Sequence, residues 1–263
     1  MDIIVCVKPA PDPKRWDEIQ LDPVTKALRR EGIPSILGPL DKRALEEGLR
    51  LREAHGGKVA AIAMAPPAAR ENLVEALAMG ADEAYLLSDR AFAGSDTWST
   101  SLVLARGIRK AGPFDLVICA EWSLDGSTGH VGAQLAEFLG IPNVGRVVAV
   151  EAVENGTLRT KSMVELGNRT LETSLPALIT VTRDINTPRF TSLLGVMEAQ
   201  SKTCTLWSAK DLEIKPEEVG FDGSPTQTAN VFLPEMKRKA EMVRGEPEEM
   251  VREILHKIRQ AIG

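Results

Sequence analysis

Unbroken apolar runs alternate with amphipathic stretches through roughly the first 180 residues. IIVCV at 3–7, KVAAIAM at 58–64, EAYLL at 83–87, FDLVICA at 114–120 and PALITVT at 176–182 have the texture of strands buried on both faces. Between them lie helix patterns. From Pro39 and Asp41 onward, Ala44, Leu45, Leu49 and Leu51 form a stripe, and Gly56-Gly57 stops it. Residues 68–79 predict a second helix with Leu73, Ala76 and Leu77 inward, closed by Gly80. Asp96 caps a third, running to about Lys110, and a fourth runs from about Gly129 to Leu139. This order predicts an α/β fold: a mostly parallel sheet, helices on both faces, right-handed crossovers.

Three segments break the pattern. KPAPDPKRWDEIQLDPVTKALRR wanders or forms a hairpin before Ile36. After Pro142 the stretches are shorter and more polar, and Asn155-Gly156 is a strong turn signal, so an antiparallel insertion is expected there. A short helix is expected near 194–199 and an extended stretch over 213–240. A terminal helix follows from Glu246 to Ile262, with Pro247 at its start and Val251, Ile254, Leu255, Ile258 and Ile262 on one stripe. The division expected is a nucleotide-binding domain over 1–210 and an arm with its helix over 211–263, which packs on a partner or back on its own domain.

Composition removes several function classes. The 263 residues carry a net charge of -5, which supplies no basic field for nucleic acid. Three scattered cysteines and three scattered histidines give no metal, cluster or disulfide spacing. Cys6 and Cys119 sit in apolar runs and read as small buried hydrophobes. No stretch approaches a membrane span and no leader precedes the first strand, so a cytoplasmic setting is expected. No nucleophile stands beside its own base, and no Walker lysine accompanies the turns.

One turn does carry chemistry. EWSLDGSTGHVG follows the strand LVICA and precedes an apolar helix, the crevice position at a strand's carboxyl end. Asp125, Gly126, Ser127, Thr128 and Gly129 offer a tight turn, hydroxyls and backbone N–H groups able to receive a phosphate. An ordinary capped helix is the alternative.

Longer strings carry a resemblance. VCVKPAPD at 5–12, LDPVTKALRREG at 21–32, PLDKRALEEGLRLRE at 39–53, ALAMGADEAYLLSDRAFAGSDTWSTS at 76–101, LDGSTGHVGAQLAEFLGIP at 124–142, RFTSLLGVMEAQ at 189–200 and DGSPTQTANVFLPE at 222–235 stand in one order. Together they resemble the beta subunit of the electron-transfer flavoproteins over nearly the whole chain. The resemblance implies an adenine-nucleotide alpha-hydrolase-like fold, an alpha subunit as partner, and transfer of electrons to an acyl-CoA-type dehydrogenase. It implies that Cys6, Met64 and Asp125 line the adenine and ribose. Backbone groups at Ser127, Thr128, Gly129, Val131 and Gly132 hold phosphate, and His130 donates to it.

SDRAFAGSDTWSTS is similar to the electron-bifurcating branch, through Asp89, Arg90, Phe92, Gly94, Asp96, Thr97, Thr100 and Ser101. That branch implies FAD in this chain's own site, with NADH as an electron donor. The alternatives are AMP here with FAD in the alpha subunit, and a non-redox regulatory nucleotide module. Departures from the family pattern touch the same region. Gly-Arg-Gln or Gly-Lys-Gln becomes Ala120-Glu121-Trp122, Val-Lys-Gln-Val-Pro-Asp becomes Val7-Lys8-Pro9-Ala10-Pro11-Asp12, and Asn-Pro becomes Gly38-Pro39. These changes remove side-chain donors near the nucleotide, while Trp122 can stack on a ring. Residues 189–200 match the family's recognition loop: Leu193 is its anchor, with Leu194, Val196 and Met197 beside it. Whether the complex is itself an enzyme stays open.

Overall fold

The computed structural model describes residues 1–18, 20, 21, 28, 29, 32–227 and 240–262. The chain divides into two compact units, 1–228 and 229–263.

Nine strands form the main sheet of the first unit: β1 (Ile3–Cys6), β2 (Val59–Met64), β3 (Glu83–Leu87), β4 (Leu116–Ala120), β5 (Asn143–Glu154), β6 (Thr157–Val164), β7 (Gly167–Ser174), β8 (Ala177–Val181) and β9 (Cys204–Trp207). Their spatial order is β7-β6-β5-β8-β4-β1-β2-β3-β9. From β5 to β9 every pairing is parallel. Strands β5, β6 and β7 make the antiparallel meander that the Asn155-Gly156 turn predicted.

Five helices of this unit follow: α1 (Pro39–His55), α2 (Arg70–Met79), α3 (Thr97–Ala111), α4 (Val131–Leu139) and α5 (Leu193–Ala199). Successive residues of a strand point to opposite faces. Accordingly Ile3 and Val5 of β1 pack with Leu45, Leu49, Leu73 and Leu77 of α1 and α2, while Ile4 and Cys6 pack with Val103, Ile108 and Leu135 of α3 and α4.

Helix ends are satisfied by distant groups. Gly38 has no side chain to cap α1, so the buried Asp41 carboxylate takes its place and also accepts from the Lys8 N–H at 3.0 Å. At the other end of the sheet, Arg52 Nη1 donates to the Gly80 carbonyl at 2.8 Å, and Lys202 Nζ to those of Leu77 and Ala81 at 3.3 and 2.8 Å. Both cations close the carboxyl end of α2.

The excursion after β1 takes the hairpin form. Pro9–Pro11 pairs antiparallel with Ser35–Leu37, and Gln20–Leu21 with Leu28–Arg29. Strand β9 was not anticipated. CTLW is short and has no alternation, and it becomes a strand because β3 offers an open edge on which Trp207 stacks against Tyr85 at 4.6 Å. Of the arm motif at 222–235, residues 228–235 lie outside the described residues. The second unit contains helix α6 (Pro247–Ile262), starting at Pro247 as expected, with Val251, Ile254, Leu255 and Ile258 exposed. No helix among the described residues is long and apolar enough to cross a membrane.

Candidate functional site

From β1 the chain builds outward through β2 and β3 on one side, then returns to place β4 and β8 on the other. The order therefore reverses between β1 and β4, and ligands of open α/β sheets bind in the crevice at that reversal. Cys6 ends β1 and stands in register with Cys119, one residue before the end of β4, both buried. A bond to the Cys119 thiol, together with burial, pushes the Cys6 thiol well above its ordinary range. This makes it an apolar wall rather than a nucleophile. Met64, the last residue of β2, packs into the same cluster.

Over this floor lies the 123–132 loop. Asp125 Oδ1 accepts from Lys8 Nζ at 2.6 Å and from the Gly126 N–H at 2.7 Å. The Ser127 hydroxyl donates to the Ser123 carbonyl at 3.2 Å, and Ser127 itself holds φ 49°. Helix α4 then starts without any side-chain cap at His130. Among the described residues, no group accepts from the N–H groups of Thr128, Gly129, His130, Val131 and Gly132. These donors fit a phosphate, with the Lys8 ammonium beside the same loop. Gly132 also lets α4 press on β8, since a Cβ there would come closer than 3.0 Å to Thr180 Cγ2.

The SDRAFAGSDT segment sits next door, because the Ser101 hydroxyl oxygen lies 3.3 Å from the Val131 carbonyl oxygen and so brings the first turns of α3 and α4 together. Its acids face inward to the chain. Asp89 accepts from the Ala91 and Ala209 N–H groups, both at 3.0 Å. Asp96 caps α3 through the Ser99 N–H at 3.0 Å and holds the Thr226 N–H at 2.9 Å. Phe92 is buried in the core, Gly94 lies against Phe221, and the Thr97 carbonyl accepts from Ser101. Thr100 follows within the first turn of α3, its N–H on the Asp96 carbonyl. Arg90 is exposed. The segment thus ties residues 208–227 to α3.

Trp122 stands exposed at the end of β4. Its neighbour Glu121 is nearly covered; burial raises its carboxyl, against the pull of Arg146 at 3.7 Å.

A second surface lies on α5. Ser192 caps the helix through the Gly195 N–H at 2.9 Å. Leu193, Leu194, Val196 and Met197 are exposed, Leu193 by 80%. Gly195 faces α2 so closely that a Cβ would strike the Ala78 carbonyl oxygen. Two residues escaped the sequence reading. Lys8 meets Asp125 across 117 positions, which only the fold reveals. Phe190 lies within the 189–200 loop but was not named among its apolar contacts, and it is 97% exposed.

Comparison with known proteins places this architecture. The electron transfer flavoprotein domain model matches residues 25–212. The electron transfer flavoprotein subunit beta of Thermoanaerobacterium thermosaccharolyticum is 43% identical, covering 98% of each chain. The caffeyl-CoA reductase-Etf complex subunit CarD of Acetobacterium woodii is also 43% identical, over 93% of this chain and 92% of that one. Protein FixA of Azorhizobium caulinodans is 38% identical, over 92% and 88%.

The chain belongs to the electron transfer flavoprotein beta-subunit family. Its role is electron transfer as a beta subunit, a subunit that pairs with an alpha subunit. Membership also corrects one expectation. FAD in this chain's own crevice is overturned by the relatives, which are beta subunits and FixA proteins; such subunits characteristically hold a structural AMP while FAD resides in the alpha subunit. The physical reason lies in the 89–96 segment. Asp96, expected at the cofactor, spends its carboxylate on the Ser99 and Thr226 N–H groups, and among the described residues the unpaired backbone donors gather at the start of α4.

Proposed function

We propose that this chain, paired with a flavin-bearing alpha subunit, holds AMP as a structural ligand, and that the pair relays electrons between a soluble donor and an acyl-CoA-type dehydrogenase. The observation carrying this reading is the uncapped start of α4, whose row of N–H groups meets no acceptor among the described residues, beside Lys8 and over the reversal between β1 and β4. Cys6, Met64 and Asp125 face the adenosine. Ser127, Thr128, Gly129, Val131 and Gly132 give the phosphate its backbone donors, and His130 adds a side-chain donor. AMP supplies no electron chemistry; FAD does so from the alpha subunit.

Leu193, Leu194, Val196 and Met197 form the docking knob, an apolar patch suited to a transient contact. The relative named for a caffeyl-CoA reductase complex supports an acyl-CoA-type partner. The arm and α6 pack on the alpha subunit, which takes the exposed stripe of Val251, Ile254, Leu255 and Ile258. The fold is the adenine-nucleotide alpha-hydrolase-like one, and the setting is cytoplasmic. A regulatory module without redox partners would have no use for the knob.

The test is the count of nucleotides released from the purified heterodimer. One FAD and one AMP are expected. Two FAD per heterodimer, or none, would overturn the reading.

A further inference from the structure

The apolar residues named for the knob begin at Leu193, yet within the same 189–200 loop Phe190 is the more exposed residue at 97%. A single exposed apolar side chain decides nothing by itself. What decides here is how the backbone on either side is held. Arg189 grips α1 with its whole fork: Nε to Glu46 Oε2 at 2.7 Å, Nη2 to Glu46 Oε1 at 3.2 Å, and Nη1 and Nη2 to Glu53 at 2.6 and 3.2 Å. Its backbone N–H adds a bond to Glu46 Oε2 at 3.1 Å. One turn earlier, Asn186 Nδ2 donates to the Arg43 carbonyl and to Glu47. After Phe190, Ser192 caps α5, and Gly195 seats that helix on α2.

Phe190 and Thr191 are therefore a short bridge between two fixed points, and the ring is held out in water rather than left there by a loose loop. Three residues span at most about 11 Å, so Phe190 and Leu193 fall within one contact patch. A bidentate guanidinium on two carboxylates is a geometry that lysine cannot reproduce.

We propose that Phe190 is a second anchor for the dehydrogenase that docks on Leu193, and that Arg189 is the positioning residue that presents it. This rests on the docking reading and extends it to a new residue pair. Continuity with the knob names the occupant: one partner covers both.

The test uses the intact alpha–beta complex and an acyl-CoA dehydrogenase selected because the wild-type complex, reduced with dithionite, reduces it. F190A is expected to raise the KM for the dehydrogenase about tenfold, with kcat and the rate of dye reduction unchanged. R189K is expected to raise KM similarly and to speed amide exchange over residues 186–193. L193A serves as the control. If L193A raises KM and F190A does not, the proposal is wrong and the docking reading stands. If neither changes KM, or no dehydrogenase is reduced, the docking reading falls and takes the proposal with it. If F190A slows dye reduction or releases the alpha subunit, Phe190 belongs to the subunit interface and the proposal is overturned. If R189K leaves amide exchange unchanged, Arg189 is not the clamp.

Discussion

Gly132 offers the sharpest test of how the fold builds the proposed phosphate cradle. An alanine there puts its methyl group closer than 3.0 Å to Thr180 Cγ2. Thr180 has little room to yield. It is β-branched, and its hydroxyl oxygen accepts from the Arg146 N–H at 3.0 Å, which fixes its rotamer. Helix α4 must therefore move by roughly 1 Å to restore ordinary contact. Overpacking of this kind costs about 1–3 kcal/mol, and alanine's better helix propensity returns about 1, leaving a net loss of about 1 kcal/mol. T180S removes the clashing methyl and keeps the hydroxyl for Arg146, at a cost of about 1 kcal/mol for the lost packing. In the double variant the alanine methyl fills the space vacated, so the two losses should largely cancel. The assay is the thermal midpoint of the heterodimer at fixed protein and AMP concentration, where 1 kcal/mol corresponds to about 2–4 °C. AMP retention should follow the same cycle, since the shift carries the α4 donors with it. Strict additivity of the two single effects would refute the reasoning, because contacting residues are required to couple.

Three further outcomes are expected. Burial pushes the Asp41 carboxyl up to about 7, against bonds from Lys8 and the first turn of α1 that pull it down. The folded state then keeps a proton that the unfolded state releases from about pH 4, so stability should fall as pH rises to about 7 and level off above, by up to about 4 kcal/mol. D41N should flatten that slope in urea unfolding, and an unchanged slope would sink the assignment. G195A, whose methyl strikes the Ala78 carbonyl, should displace α5 and raise the dehydrogenase KM without altering dye reduction; loss of both activities together would point to general damage instead. Stripping AMP should lower the thermal midpoint, with recovery of about 2.7 kcal/mol at a hundredfold excess over Kd, while dye turnover per flavin holds. Dye turnover that vanished with AMP would give the nucleotide a redox role.

The strands β1 to β4 and β8 were legible because burial on both faces leaves uninterrupted apolar runs, and the helices because Asp96, Pro39, Pro247 and the terminal glycines mark their ends. Strand β9 was not, since its four residues become a strand only through the edge of β3. The same limit applies to side chains. Lys202 follows the knob in sequence, and no spacing announces that its ammonium closes α2. Asp96 reads as a helix cap and is one, but its second oxygen holds a residue 130 positions away. Local partners can be inferred from spacing; partners supplied by another element cannot.

The two surfaces lie toward opposite ends of the sheet, and that separation bears on which nucleotide can matter to the partner. The crevice stands at the carboxyl ends of β1 and β4, level with Asp41 at the start of α1. From Thr182 the chain runs down α1, past Glu47 at Asn186 and past Glu46 and Glu53 at Arg189, and reaches the carboxyl end of α2 at Gly195. Asp41 to Glu53 is 12 residues of helix, or about 18 Å at 1.5 Å per residue. On the proposed reading, a partner seated on the knob sits roughly a domain's half-width from the crevice proposed for AMP, with the packed core of α1 and β1 between. A ligand that never meets the partner is free to be structural, and the site can be read as what it resembles physically: a plug that satisfies the donors of α4 and holds β1, β4 and the 123–132 loop together. On the proposed reading, the flavin that meets the partner is brought by the alpha subunit, and this chain contributes the surface held by Arg189 and Gly195.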